Sequence, residues 1–179
     1  MSRQQPFTER QIEHIGRAAR LLCRLFEQCE ALKGRPNWKA IAGKVANLTE
    51  DDDAVRRHFG HDDLFLEKIK ALGWTEKFLG NLWNRYILVH TDLVPDRELD
   101  ETNCADTALT LALAIALWHE TAHWEGAQDS WIEVEEFKLL GRLEDCAHIQ
   151  NHPCGAALMQ TIARQKRLAR SDDGWWHGF

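Results

Sequence analysis

Several signatures are missing from this chain, and each absence removes a class of function. No GxxxxGKS/T, GxGxxG or GxSxG occurs, which excludes the common nucleotide-binding and serine-hydrolase signatures. The longest nearly apolar run, Ala108 to Trp118, is too short to span a bilayer and ends in His119-Glu120. The opening residues show no apolar stretch behind a basic one, so they do not read as a secretory signal. A soluble protein with no membrane partner is therefore expected. The 22 basic residues are dispersed under a net charge of −6 and a pI near 5.8, which leaves little electrostatic footprint for a polyanion. Nucleic acid is not an expected partner. Five cysteines (Cys23, Cys29, Cys104, Cys146, Cys154) are an odd number without CxxC spacing, which argues against a secreted disulfide framework and a zinc ribbon. Buried free thiols in a reducing cytoplasm are the expectation.

What is present fits one globular domain: 179 residues, 44% hydrophobic and 28% charged, with eight tryptophans beside a single tyrosine. Thr8-Glu9-Arg10-Gln11 is a capping-box pattern, and Ile12, Ile15, Ala19, Leu22, Cys23 and Phe26 follow at helical spacing. That helix should run to about Leu32, where Gly34 and Pro36 stop it. Trp38, Ile41, Ala42, Val45 and Leu48 give a second stripe, and Thr49 before Glu50-Asp51-Asp52 reads as the N-cap of a third helix. Residues 76–93 are ambiguous: Phe78, Leu79, Leu82 and Trp83 look helical, while Tyr86-Ile87-Leu88-Val89 has strand composition. A polar stretch from Val94 to Asn103 precedes a segment, 106–125, that is apolar almost all round and so belongs in the middle of a core. Ser130-x-x-Glu133 reads as the capping box of a helix running to Ala147, and Gly155–Arg170 as a last helix. The expectation is an all-α or strongly α-dominated fold. Residues 1–170 form a single bundle of six to eight helices around the central one, with at most one or two strands and a Trp-rich tail over 171–179.

One motif carries chemistry. The central helix reads Trp118-His119-Glu120-Thr121-Ala122-His123-Trp124-Glu125-Gly126-Ala127-Gln128-Asp129. His119 and His123 are i and i+4, so both imidazoles leave one helical face and can bind one metal, while Glu120 lies close enough to polarise a bound water. This HExxH segment resembles the zincin metallopeptidases, and more closely the metzincin pattern HExxHxxGxx followed by His or Asp. The resemblance spans residues 119–129. It implies that Gly126 ends the helix and turns the chain back, that His119, His123 and Asp129 hold zinc, and that Glu120 is the general base. It also implies a methionine turn, for which Met159 lies downstream, and a sheet ahead of the site helix. The residues themselves read as helical over 1–80.

Other readings stay open at this stage. A gluzincin-like variant takes its third ligand from Glu133 or Glu136, although Glu133 has a capping role and Glu136 can simply face water. Glu120-x-x-His123 and Asp145-x-x-His148 have the spacing of ferritin-like di-metal bundles, with Glu27, Glu30 and Glu67 as further carboxylates. His148 and His152 read as a helix-end pair, His61-Asp62 as a surface cap and Asp51-Asp52-Asp53 as an acidic first turn. The histidine pair is equally compatible with two satisfied core histidines. Two functions follow. One is a zinc-dependent hydrolase, most simply a metallopeptidase with a peptide or protein substrate. The other is a non-catalytic acidic helical protein, a regulator, immunity factor or inhibitor, that binds a protein partner through surfaces such as Trp175-Trp176.

Overall fold

The first helix begins where its capping box begins. In the computed structural model, which describes residues 7–61, 73–77, 85–89 and 93–170, Thr8 Oγ1 accepts the Gln11 N–H and Gln11 Oε1 accepts the Thr8 N–H. Helix α1 (Glu9–Gln28) buries Ile12, Ile15, Ala19, Leu22 and Phe26, the spacing read from the sequence, and each large apolar side chain so buried contributes about 1.5–3 kcal/mol. It stops at Cys29, and a short 3-10 turn over Glu30–Leu32 replaces the extension expected to Leu32. Helix α2 (Pro36–Thr49) starts with proline in its first turn and buries Trp38, Ile41, Ala42, Val45 and Leu48. Trp38 satisfies its buried indole by donating to Glu135 at 2.9 Å. Helix α3 (Asp52–His58) is capped by Asp51, whose Oδ1 accepts from the Asp53 and Ala54 N–H groups; Thr49, expected as that cap, is instead the last residue of α2.

Helix α4 (Cys104–Trp124) is the central element, capped by Asn103 and buried on every side from Leu113 to Ala122. It touches α1 and α2 on one flank and α5 (Asp129–Glu144) and α7 (Gly155–Arg170) on the other, with the one-turn α6 (Ala147–Gln150) linking the last two. The fold is therefore an α-dominated single bundle of seven helices among the described residues, as the apolar periodicity predicted. Three short strands add a small sheet against α4: β1 (Phe59–His61), β2 (Gly73–Lys77) and β3 (Arg85–Val89), in the order β1-β3-β2. β1 runs parallel to β3 and β2 antiparallel to it, with Ile87 opposite both Phe59 and Thr75. The strand composition at Tyr86–Val89 is realised, and Ile87 and Val89 point to the core in the alternation a strand requires. Among the described residues no helix is long and apolar enough to cross a membrane. Residues 78–84, Glu67, Asp62 and the tail with Trp175-Trp176 lie outside the described residues.

The cysteine expectation is corrected. Cys29 pairs with Cys146 (Cα–Cα 5.3 Å) and Cys104 with Cys154 (Cα–Cα 5.1 Å), leaving Cys23 as the free thiol. The partners are 117 and 50 residues apart, so local spacing carried no trace of them. One bridge ties the end of α1 to the α5–α6 junction, the other the start of α4 to the residue before α7. In chain-entropy terms each such loop closure contributes on the order of 4 kcal/mol.

Candidate metal centre

The site is built by a helix end. At the C-terminus of α4 the Gly126 N–H bonds to the His123 carbonyl and the Ala127 N–H to the Ala122 carbonyl, with Gly126 at φ +99°. This double bond pattern is a Schellman turn, and its left-handed residue is the reason glycine sits there. The chain reverses at Gly126, as expected, and α5 starts at Asp129. Its N-cap is Gln128 without a side-chain cap, so the capping role expected of Ser130 and Glu133 is not realised; Ser130 is already inside the helix.

Reversal lays α5 beside α4 so that two periodicities meet. His119 and His123 project from one face of α4, their ring centroids 4.9 Å apart in an edge-on arrangement. Asp129, Glu133 and Glu136 recur at i, i+4 and i+7 along α5 and so share one of its faces. Asp129 Oδ1 lies 3.3 Å from His123 Nε2, and Glu136 Oε2 lies 2.8 Å from His119 Nδ1. Glu120 Oε1 is 3.9 Å from His119 Nε2. His119, Glu120 and Glu136 are almost wholly enclosed, whereas His123 and Asp129 are partly open to solvent. Trp118 and Trp131 stack beside them with centroids 6.4 Å apart, and Lys44 sits over Trp124 while pairing with Glu125 at 3.7 Å.

Of the predicted metal set, Asp129 lies against His123 and the His119 ring lies beside that of His123, with Glu120 3.9 Å from His119. Glu136 does not face water, the alternative weighed for it; it is buried against His119. Its signal in the sequence was its i+7 relation to Asp129, which becomes informative only once α5 is known to pack on α4. Asp145, the C-cap of α5, and His148, on α6, are exposed whereas Glu120 is buried; Glu27 and Glu30 are exposed too, so the ferritin-like arrangement is not assembled among the described residues. Met159 lies inside α7 and forms no turn beneath the site.

Electrostatics set the two imidazoles apart. Burial pulls His119 down, but the charge and hydrogen bond of Glu136, helped by Glu120 and Asp129, outweigh it and its pKa is raised. For His123 burial again acts first and the neighbouring His119 adds to it, so the net shift is downward despite Asp129. Glu136 thus favours the protonated form of one imidazole, and burial the neutral form of the other. The Glu136 bond through Nδ1 also orients His119 with Nε2 turned toward Glu120. A carboxylate on the far ring nitrogen is the arrangement that fixes a metal-ligating imidazole. The donor set of two imidazoles and an aspartate suits zinc chemically, and 3.3 Å is about the ligand-to-ligand edge of a tetrahedron with ~2.0–2.1 Å metal bonds. Among the described residues, no group of three or more His, Cys, Asp or Glu side chains is placed so that it could hold a metal ion. No family model, no curated protein and no solved structure matches the chain.

Proposed function

We propose that His119, His123 and Asp129 bind zinc and that the protein is a zinc-dependent hydrolase acting on peptide bonds. The observation that carries this reading is the buried bond from Glu136 to His119 Nδ1, which leaves Nε2 as the ligating nitrogen beside Glu120. Local charge supports it too. Glu120, Asp129 and Glu136 lie against only two imidazoles, an excess of anion that a divalent cation offsets. Zinc, when bound, supplies Lewis acidity to a water and to the scissile carbonyl. Glu120 then accepts a proton from the attacking water and delivers it to the leaving amine, and the stacked Trp118 and Trp131 keep the inner side of the site dry. Asp129 and His123, being partly open, form the side from which substrate enters.

Metal content and a conservative variant test this together. Purified full-length protein should carry about one zinc per chain by elemental analysis, and H119A or H123A should lose it. Glu120→Gln should keep the zinc while hydrolysis of a peptide library falls by roughly 10²-fold or more. Protein that takes up no stoichiometric zinc, or an E120Q variant as active as wild type, would reject the enzyme. The second reading, a non-catalytic binding protein, is favoured by the same His119–Glu136 pair taken as a satisfied core contact, and it predicts zinc-free protein of undiminished stability.

A further inference from the structure

At the opposite end of α4 from the histidine pair, a groove runs between α1, the start of α4 and the α6–α7 corner. Its mouth encloses about 220 Å³ beside Arg17, Arg24 and His152, and it continues into a recess of about 110 Å³. Leu21, Leu25, Leu111, Ile149 and Leu158 make the recess apolar. The polar groups of the mouth divide into spent and unspent. Asp106 accepts two bonds from Arg97 and one from the Asp100 N–H; Glu101 pairs with Arg17 at 3.7 Å. The Asp100 carboxylate accepts from the Thr102 N–H and hydroxyl, and Thr107 and Thr110 donate to backbone carbonyls. Every acid on that wall is therefore engaged.

The opposite wall differs. Among the described residues, Arg24 and His148 make no hydrogen bond or ion pair. His152 accepts the Cys154 N–H at Nδ1 (3.0 Å), which places its own proton on Nε2, free to donate. The unspent capacity of Arg24 and His152 is all N–H, with the imidazole of His148 beside them, above an apolar floor. We propose that this groove binds a small amphipathic carboxylate, its carboxylate held by Arg24, His148 and His152 and its apolar body seated on the leucine floor. A recess of 110 Å³ is smaller than the ~150 Å³ cavity that admits benzene, so the apolar body is short. Planar two-point donation by a guanidinium favours a carboxylate.

The probe is sodium hexanoate, titrated calorimetrically into the full-length oxidised protein, with hexanol and hexylammonium as the neutral and cationic equivalents. Hexanoate should saturate a single site, while the two equivalents show no saturation over the same range. Arg24→Gln, an exposed position whose replacement leaves the core intact, should weaken hexanoate at least about 10-fold. His152→Asn should do likewise, because asparagine preserves the acceptor for the Cys154 N–H and deletes only the outward donor. Three results would each overturn the site: no saturable hexanoate binding, equal binding of hexanol, or hexanoate affinity unchanged in both variants while circular dichroism shows them folded.

Discussion

The two ends of α4 each carry a buried acid, and they are solved differently. Near the N-terminus Asp106 meets Arg97 through two hydrogen bonds of 2.6 and 3.1 Å and takes the Asp100 N–H as a third. The Arg97 bonds come first in holding its carboxyl down to a pKa of about 2, and one permanent cation balances one anion. Near the C-terminus Glu136 meets His119, whose imidazole, unlike a guanidinium, can lose a proton, with Glu120 3.9 Å from the same ring and Asp129 against His123. The first arrangement is closed at any ordinary pH. The second relies on imidazoles, whose charge, unlike a guanidinium's, is not permanent.

Breaking the second pair should give the larger effect. Glu136→Ala leaves His119 enclosed without its carboxylate, and removing one partner of a buried charged pair costs about 3–5 kcal/mol. Equilibrium unfolding in urea should show that loss as a lower midpoint with an unchanged slope. Glu136→Gln retains a hydrogen-bond acceptor and should lose less. A Glu136→Ala variant as stable as wild type would mean that the pair is not an energetic unit.

The first pair should respond less, and with a defined pH signature. Asp106→Asn keeps one acceptor and removes the charge, for about 2 kcal/mol near neutral pH. The sign follows from the depressed folded pKa: the contribution is fully present above the unfolded value of about 3.9 and is lost as pH falls through it to about 2. Wild type should therefore lose stability steeply between pH 4 and pH 2, and the variant should show a shallower fall in that window. Thermal melts at half-unit pH steps measure it directly; parallel curves would contradict the pairing.

These two ends were not equally legible beforehand. The α1 and α2 stripes, the all-round apolarity of α4 and the turn at Gly126 were readable because each depends on local periodicity or on one residue's backbone freedom. The His119–His123 spacing likewise needed only a helix to have meaning. Glu136 was legible only as one of two alternative third ligands, because its partner lies on another helix and the pairing depends on how α5 crosses α4. Cys29–Cys146 and Cys104–Cys154 were hidden by their separations. At the start of α5 tertiary docking overrode local preference: Ser130 has the better capping side chain, yet the cap falls at Gln128, two residues earlier, which delivers Asp129 to His123.

That delivery hinges on Gly126, and one substitution made at two places isolates it. At φ +99° a methyl group meets no atom within 4 Å, so the cost of Gly126→Ala comes from the backbone alone, about 1–2 kcal/mol. Gly141, inside α5, is equally uncrowded but has ordinary helical geometry. There the same change should stabilise by about 0.5–1 kcal/mol, since glycine in a helix interior is the costlier residue. Urea midpoints should therefore move in opposite directions for the two variants. If both move upward, the turn tolerates a side chain, and the approach of Asp129 to His123 owes nothing to the glycine between them.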